Sequence, residues 1–466
     1  MAEPAYSPRL RTGVVLTGSG TAGAYQAGAL RAIAESGVRV DIIAAHGAGA
    51  LTALASAVDG GARVWDAAGP WTDPRLGRAY RWRAALRTAW AGLLTCFALL
   101  LSPLLVLVGA AVVYMAATLA ALVSLTGVSA TLVSWYSAAL VWLFASPMMP
   151  TVVPRLLVLG VLVIAGVLLA SAWRAARGGS RRRMAGAFWW RLLAWPLDAA
   201  EPSATGLNLL WTLVHGASSE SQPDASDLGR RYVDVLTDNF GEPGFHEVLV
   251  AVHDLDARRD IVGGVLAAPG RSAMEARRAG VDDRDGEIVD FTGPQREMLA
   301  DFLMGAFRLP VVTQPATVEF PIDGYWRGER HRVCDRPDIA TRLVEELAAL
   351  GVEQIILVSP APPPARPHAV RPAPASLRAR MGELVRSLET AALSDATAAA
   401  VSRCSSVFVI RPDHNPIGPF DFAGVYDEAS DRQRTVAELM QQGYADAYHH
   451  LIEPMVAASE PPDDLA

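Results

Sequence analysis

Hydrophobic and polar positions along this chain fall into three regimes. In the first, short apolar runs alternate with helical stripes. Gly13 to Leu16 reads as a strand and enters a glycine turn, Thr17-Gly18-Ser19-Gly20-Thr21-Ala22-Gly23. Ala24 to Ser36 has helical spacing, with Gly37 as its stop signal. Val38 to Ala45 reads as a second strand and leads into Ala45-His46-Gly47-Ala48-Gly49-Ala50-Leu51, and Ala48 to Val58 reads as a helix. The last regime repeats this grammar. It has strands at His246 to His253, Gln354 to Val358 and Ser406 to Ile410, and helices at Pro337 to Leu350 and Thr435 to Leu451. Ser359 to Ser376 is proline-rich and reads as an exposed loop. Strands alternating with helices predict a parallel sheet covered on both faces. Neither part is complete alone. The pattern therefore predicts one α/β domain, residues 1–87 and 216–466, interrupted by an insertion.

The middle regime is the insertion. No charged residue occurs from Thr88 to Pro154, and after Arg155 a further apolar run reaches Trp173. About 20 apolar residues suffice to cross the hydrocarbon layer, so residues 88–173 are expected to form a helical transmembrane insertion. Breaks are expected at Gly127 to Thr131 and Ser146 to Pro154. Thr88 to Ser124 is too long for one upright span at about 1.5 Å per residue, so a further break is expected near Ser102-Pro103 or Gly109. Arginines crowd both flanks: Arg75, Arg78, Arg81, Arg83 and Arg87 before the run, and Arg174, Arg177, Arg181, Arg182 and Arg183 after it. Positive charge stays on the cytoplasmic side. An even number of crossings follows, four being favoured over two, with both soluble parts cytoplasmic. Residues 174–215 are basic and Trp-rich. Their core, Phe188 to Pro196, fits an interfacial amphipathic helix or a helix packed on the soluble domain equally well.

Composition changes this picture little. The 466 residues are 51% hydrophobic with a net charge of −7, which gives no reason to expect nucleic acid as a partner. Lysine is absent. Three separated cysteines, Cys96, Cys334 and Cys404, argue against a disulfide framework or a zinc site. The first twelve residues have no apolar core, so no cleavable secretion signal is expected. The cluster His253, Asp254, Asp256 and the pair His449-His450 lack metal-site spacing. No cofactor is expected.

The two glycine turns carry the candidate chemistry. A glycine turn between strand and helix aims backbone N–H groups at an anion, either a phosphate or the oxyanion of an acyl-transfer intermediate. It can also be a plain tight turn. A dinucleotide site requires an acid near the end of the second strand, but Asp41 stands near that strand's beginning. The second turn has the outline of a nucleophile elbow, G-x-S-x-G, with Ala45 at the first glycine, Gly47 at the serine and Gly49 at the last glycine. A plain βα turn of small residues has the same outline.

With these blocks in place, the chain resembles the patatin-like phospholipase family. Leu16 to Gly28 is similar to that family's opening block, and Ala45 to Leu51 to its elbow G-T-S-x-G-A-L. Leu309-Pro310 and Phe320-Pro321-Ile322-Asp323-Gly324 resemble the block preceding its catalytic D-G-G or D-G-A. Asp335, in Arg332-Val333-Cys334-Asp335-Arg336-Pro337, then stands where that aspartate is expected, although a helix N-terminal acid reads the same way. Ile410-Arg411-Pro412, Phe420-Asp421-Phe422 and Gly443-Tyr444 extend the likeness. The resemblance implies a three-layer α/β/α fold and a Ser–Asp dyad that cleaves lipid acyl esters. It also implies an oxyanion loop at Gly18, Ser19, Gly20, Thr21 and Gly23.

Two departures bear on that expectation. Glycine at position 47 cannot attack a carbonyl, and the glycines after the aspartate are replaced by Arg336 and Pro337. Together they point to lapsed catalysis, with an acyl chain or membrane lipid still bound. Two alternatives remain: an active hydrolase with an unconventional nucleophile, for which Ser19 and His46 are the candidates, and a nucleotide-binding membrane protein.

Overall fold

The computed structural model describes residues 6–20, 22–66, 69–72, 80–145, 151–177, 195–216, 220–278, 286–364, 367, 377–413, 425–427 and 432–459. The chain divides into two compact units, one of residues 1–81 with 197–466 and the other of residues 82–196.

The first unit is built on a mixed sheet of nine described strands: β1 (Thr12–Leu16), β2 (Ile42–Ala45), β3 (Glu247–Asp254), β4 (Arg259–Val265), β5 (Ile288–Asp290), β6 (Ala316–Glu319), β7 (Arg330–Cys334), β8 (Gln354–Val358) and β9 (Ser406–Ile410). Their order is β9-β8-β1-β2-β3-β4-β5. The first five run parallel, as the βα alternation predicts. The sequence reading missed β4, which returns antiparallel to β3. It also missed β7, which runs antiparallel beside β3 with β6 on its outer edge.

The central strands are apolar because both their faces are covered. One set of alternate side chains, including Val15, Ile42, Ala44, Leu249 and Leu357, is buried with the Ile339–Ala349 helix and with Leu393, Ala396 and Ala400 of the Leu377–Arg403 helix. The opposite set meets other helices. A Cβ placed on Gly49, at the start of the Gly49–Ser56 helix, would lie 2.9 Å from the Leu16 Cβ. One placed on Gly305, in the Leu299–Ala306 helix, would lie 3.3 Å from Val252 Cγ1. Each buried Leu, Ile or Val contributes about 1.5–3 kcal/mol. The Ala22–Glu35 and Val436–Ala447 helices cross at glycines. A Cβ on Gly28 would come within 1.8 Å of the Met440 carbonyl oxygen, and one on Gly443 within 1.9 Å of the Tyr25 carbonyl oxygen.

The second unit is helical, with apolar side chains exposed along its length. Four stretches are long and apolar enough to cross a membrane: Ala84–Ser102, Leu104–Leu122, Thr126–Phe144 and Val153–Trp173. Their boundaries correct two expectations. The expected break near Pro103 or Gly109 is absent, because Ala84–Leu122 is one continuous helix, about 58 Å long at 1.5 Å per residue. The break expected at Gly127 to Thr131 comes earlier, at Val123 to Leu125, where Ser124 turns the chain with φ +65°. Gly127 itself lies inside a helix, since an isolated glycine weakens a helix without ending it. Close packing within the unit also uses small residues, with Gly160 against Cys96 and Gly92 against Ile164. The expected break at Ser146–Pro154 falls partly, and the Phe188–Pro196 core of the Trp-rich segment almost wholly, outside the described residues.

Candidate active site at the two glycine turns

Both turns sit at the carboxyl ends of adjacent parallel strands, where ligands bind in sheets of this kind. After β1, Thr17 N–H donates to the Val358 carbonyl at 3.0 Å, and the chain then turns through Gly18 (φ +107°) and Gly20 (φ +64°) into its helix. A Cβ on Gly18 would press 2.7 Å from Pro360 Cγ, and one on Gly23 would enter the Trp71 ring. Packing thus accounts for glycine at both positions. Thr21 lies outside the described residues.

After β2, His46 N–H donates to the Leu16 carbonyl, and Ala48 N–H to the Gly18 carbonyl at 3.0 Å. The two turns are therefore tied to each other. Between these bonds Gly47 has φ +58°, the left-handed conformation that costs an L-residue about 1–2 kcal/mol. A sharp strand-to-helix turn with a left-handed apex has the outline of a nucleophile elbow; glycine adopts it here without strain and brings no side chain.

Asp335 reaches this apex through the sheet. β2 pairs with β3 only as far as Val250. Beyond that point β7 runs antiparallel to β3, with Cys334 opposite His253. Its next residue, Asp335, is delivered to the open end of β2 and anchored by its N–H to the Arg308 carbonyl at 2.6 Å. Asp335 is buried. Its Oδ1 faces His46 Nδ1 at 2.8 Å, and its Oδ2 accepts from Ser19 Oγ at 3.1 Å. A Cβ at Gly47 would stand 2.8 Å from Asp335 Oδ2 and 2.6 Å from the Gly18 carbonyl oxygen. The volume a nucleophile's side chain would need is occupied.

A fourth group completes the cluster. Glu389, from the Leu377–Arg403 helix, accepts the Ser19 backbone N–H at 3.0 Å through Oε1. It is 6% exposed. Burial, reinforced by the charge of Asp335, pushes its carboxyl up to about 7 against the opposing pull of Ser19 and His46. Burial pulls His46 down, but the charge and hydrogen bond of Asp335, with help from Glu389 and Asp260, raise it on balance above its ordinary value. His46 Nε2 is buried and has no hydrogen-bond partner among the described residues. Burial and then Asp335 push the Cys334 thiol up to about 12, so Cys334 is not a thiolate nucleophile at neutral pH.

The structure thus brings Gly18, Ser19, Gly47 and Asp335 together, with Gly20 in the same loop, whereas Gly23, expected in the loop, lies in the first turn of the Ala22–Glu35 helix against Trp71. His46, singled out beside the elbow, pairs with Asp335. Asp323 lies apart in an exposed turn. Asp41 accepts the Thr12 N–H at 2.8 Å, at the opposite end of β1 and β2 from the glycine turns. His253 pairs with Asp260 at 2.7 Å, and no group of three metal-ligating side chains occurs among the described residues. Glu389 was not foreseen. Its signal was an acid in register with Leu393, Ala396 and Ala400 on the buried stripe of a helix.

The family comparison covers this location. Residues 14–106, both glycine turns included, match the family model described as patatin-like phospholipase. No curated protein matches the chain. Among solved structures, the crystal structure of VipD from Legionella pneumophila aligns with 97% of this chain and 67% of its own at 11% identity. Its TM-score is 0.33, too low to support an argument.

Proposed function

We propose that this chain is a membrane-embedded, patatin-like protein in which acyl-ester hydrolysis has lapsed and the retained frame binds lipid or an acyl chain. The observation that carries this reading is Gly47: the apex of the elbow lies beside a buried carboxylate and has no atom with which to attack an ester. Loss of the nucleophile in a serine protease costs on the order of a millionfold in turnover. The backbone N–H of Ser19, a donor an oxyanion would need, is also taken by Glu389. The four apolar stretches support embedding, and the arginine flanks support a cytoplasmic side for both ends of the insertion. Purified protein incubated with a serine-reactive fluorophosphonate should give no adduct. A specific adduct, or hydrolysis of a phospholipid ester, would overturn the reading.

One contact favours a second reading. Ser19 Oγ donates to Asp335 Oδ2 at 3.1 Å, the relation a nucleophile has to its base. In that reading Ser19 replaces the missing serine. Its adduct would map to Ser19 and disappear in S19A.

A further inference from the structure

Two carboxyl groups meet on one serine. Glu389 Oε1 accepts the Ser19 N–H at 3.0 Å, and Asp335 Oδ2 accepts from Ser19 Oγ at 3.1 Å. All three residues are buried. Asp335 has an imidazole to pair with, since its Oδ1 faces His46 Nδ1 at 2.8 Å. Glu389 makes no ion pair among the described residues. Ionising it would set a second negative charge beside Asp335 in a site closed to water, so the protonated form is favoured. Burial and Asp335 act in that direction, while Ser19 and His46 oppose them. Charges on neighbouring elements are engaged elsewhere. Arg342, Glu345 and Glu346 of the Ile339–Ala349 helix pair with one another or with Glu287, Arg403 and Arg277. Arg386, one turn earlier on the helix of Glu389, has an interaction of its own.

Glu389 also marks a change in packing along its helix. Before it, the described part of the Leu377–Arg403 helix buries Gly382 and Val385. Beyond it, Ala392, Leu393, Ala396 and Ala400 are buried, the last three in the core beneath the sheet. A thinly packed helix start opens locally at lower cost than a core segment.

We propose that Glu389, Ser19 and Asp335 form a proton-operated catch on the glycine loop. Protonated, the Glu389 carboxyl holds the Ser19 N–H and keeps the loop shut. Ionised, it leaves Asp335 for water and frees that N–H for a ligand oxygen. The proton passes to solvent, and no covalent bond other than O–H changes. Loss of a proton from His46 removes the positive charge facing both carboxyls, and so acts in the same direction. The inference rests on the reading of the loop as the ligand site, but not on the loss of catalysis. A fluorophosphonate adduct would remove the latter and leave the catch standing. A failed catch would leave Gly47 as inert as before.

The test is hydrogen exchange of the Ser19 amide in the full-length protein in detergent, resolved to the residue and divided by the intrinsic rate at each pH. The carboxyl stands at about 7 when held, against an ordinary 4.5 when released. The open fraction should therefore rise about fortyfold from pH 5 to pH 7 and then level off. Ser19 protection in wild type should fall by that factor, and the amide of Val15, in β1, should not follow it. E389Q keeps an acceptor oxygen but cannot ionise, and its Ser19 protection should stay nearly level. Wild-type Ser19 protection that is unchanged from pH 5 to pH 7 would overturn the proposal, whether or not E389Q folds. So would an equal fall in E389Q, or a fall shared by Val15, which would make the change a general loosening of the fold.

Discussion

Replacing Glu389 by glutamine should flatten the pH dependence of stability in a defined window. In the folded protein burial and Asp335 raise this carboxyl to about 7, from an ordinary value of 4.5. A group raised on folding contributes stability that is fully present below its unfolded value and is lost as pH rises through its folded value. The loss therefore runs from about pH 4.5 to about pH 7, where the native state holds a proton that the unfolded chain has released. At 1.36 kcal/mol per pH unit, the span amounts to about 3 kcal/mol. The glutamine side chain in E389Q does not ionise, and its oxygen can still accept from Ser19. Thermal unfolding in detergent, followed by near-ultraviolet circular dichroism at pH 5, 6 and 7, measures the difference. At about 2 °C per kcal/mol, wild type should lose about 6 °C relative to E389Q across the window. His46, also raised on folding, adds a loss of the same sign at and above its ordinary value of 6.5, smaller in E389Q because the charge of Glu389 is one of the groups that raise it. Parallel melting curves for wild type and E389Q between pH 5 and pH 7 would refute the buried, ionisable carboxyl and the packing that accounts for it.

Further expectations follow from the same geometry. G47S forces a Cβ against the Gly18 carbonyl and Asp335 at positive φ; it should lower stability by roughly 1–3 kcal/mol in a denaturant titration. It should also stay inert to fluorophosphonate while Glu389 holds the loop, so labelling of G47S would contradict the blocked site. G443A drives a Cβ into the Tyr25 carbonyl and should cost about 3 kcal/mol or more in thermal unfolding, whereas a cost below about 0.5 kcal/mol would deny the close helix crossing. Single cysteines at Arg78 and Arg181, in a background lacking the native three, should react with an impermeant maleimide from the same membrane face. Reaction from opposite faces would establish an odd number of crossings.

The parallel half of the sheet was legible because β1, β2, β8 and β9 are short apolar runs bounded by turn residues, which is how doubly covered strands read. Both glycine turns were legible for a related reason: the backbone there needs positive φ or a close approach, and glycine is the residue that permits either. The partner of Gly47 was harder to see. Asp335 comes from the far part of the chain, just after β7, whose sequence Arg330-His331-Arg332-Val333-Cys334 opens on three polar residues and so does not read as an apolar strand. Its position depends on β2 ending where β7 begins, a register that no local pattern encodes. Glu389 was hidden by convention, since a glutamate in a helix is ordinarily on a solvated face. The long helix Ala84–Leu122 differs from its reading because Pro103 weakens a helix without obliging it to fold back.

The most direct test of lapsed catalysis is fluorophosphonate labelling of the full-length protein in lipid nanodiscs, read by intact mass and peptide mapping. The account predicts no covalent adduct on any serine of the two turns. An adduct on Ser19, abolished by S19A and by D335N, would contradict it and make this chain an active hydrolase with a displaced nucleophile.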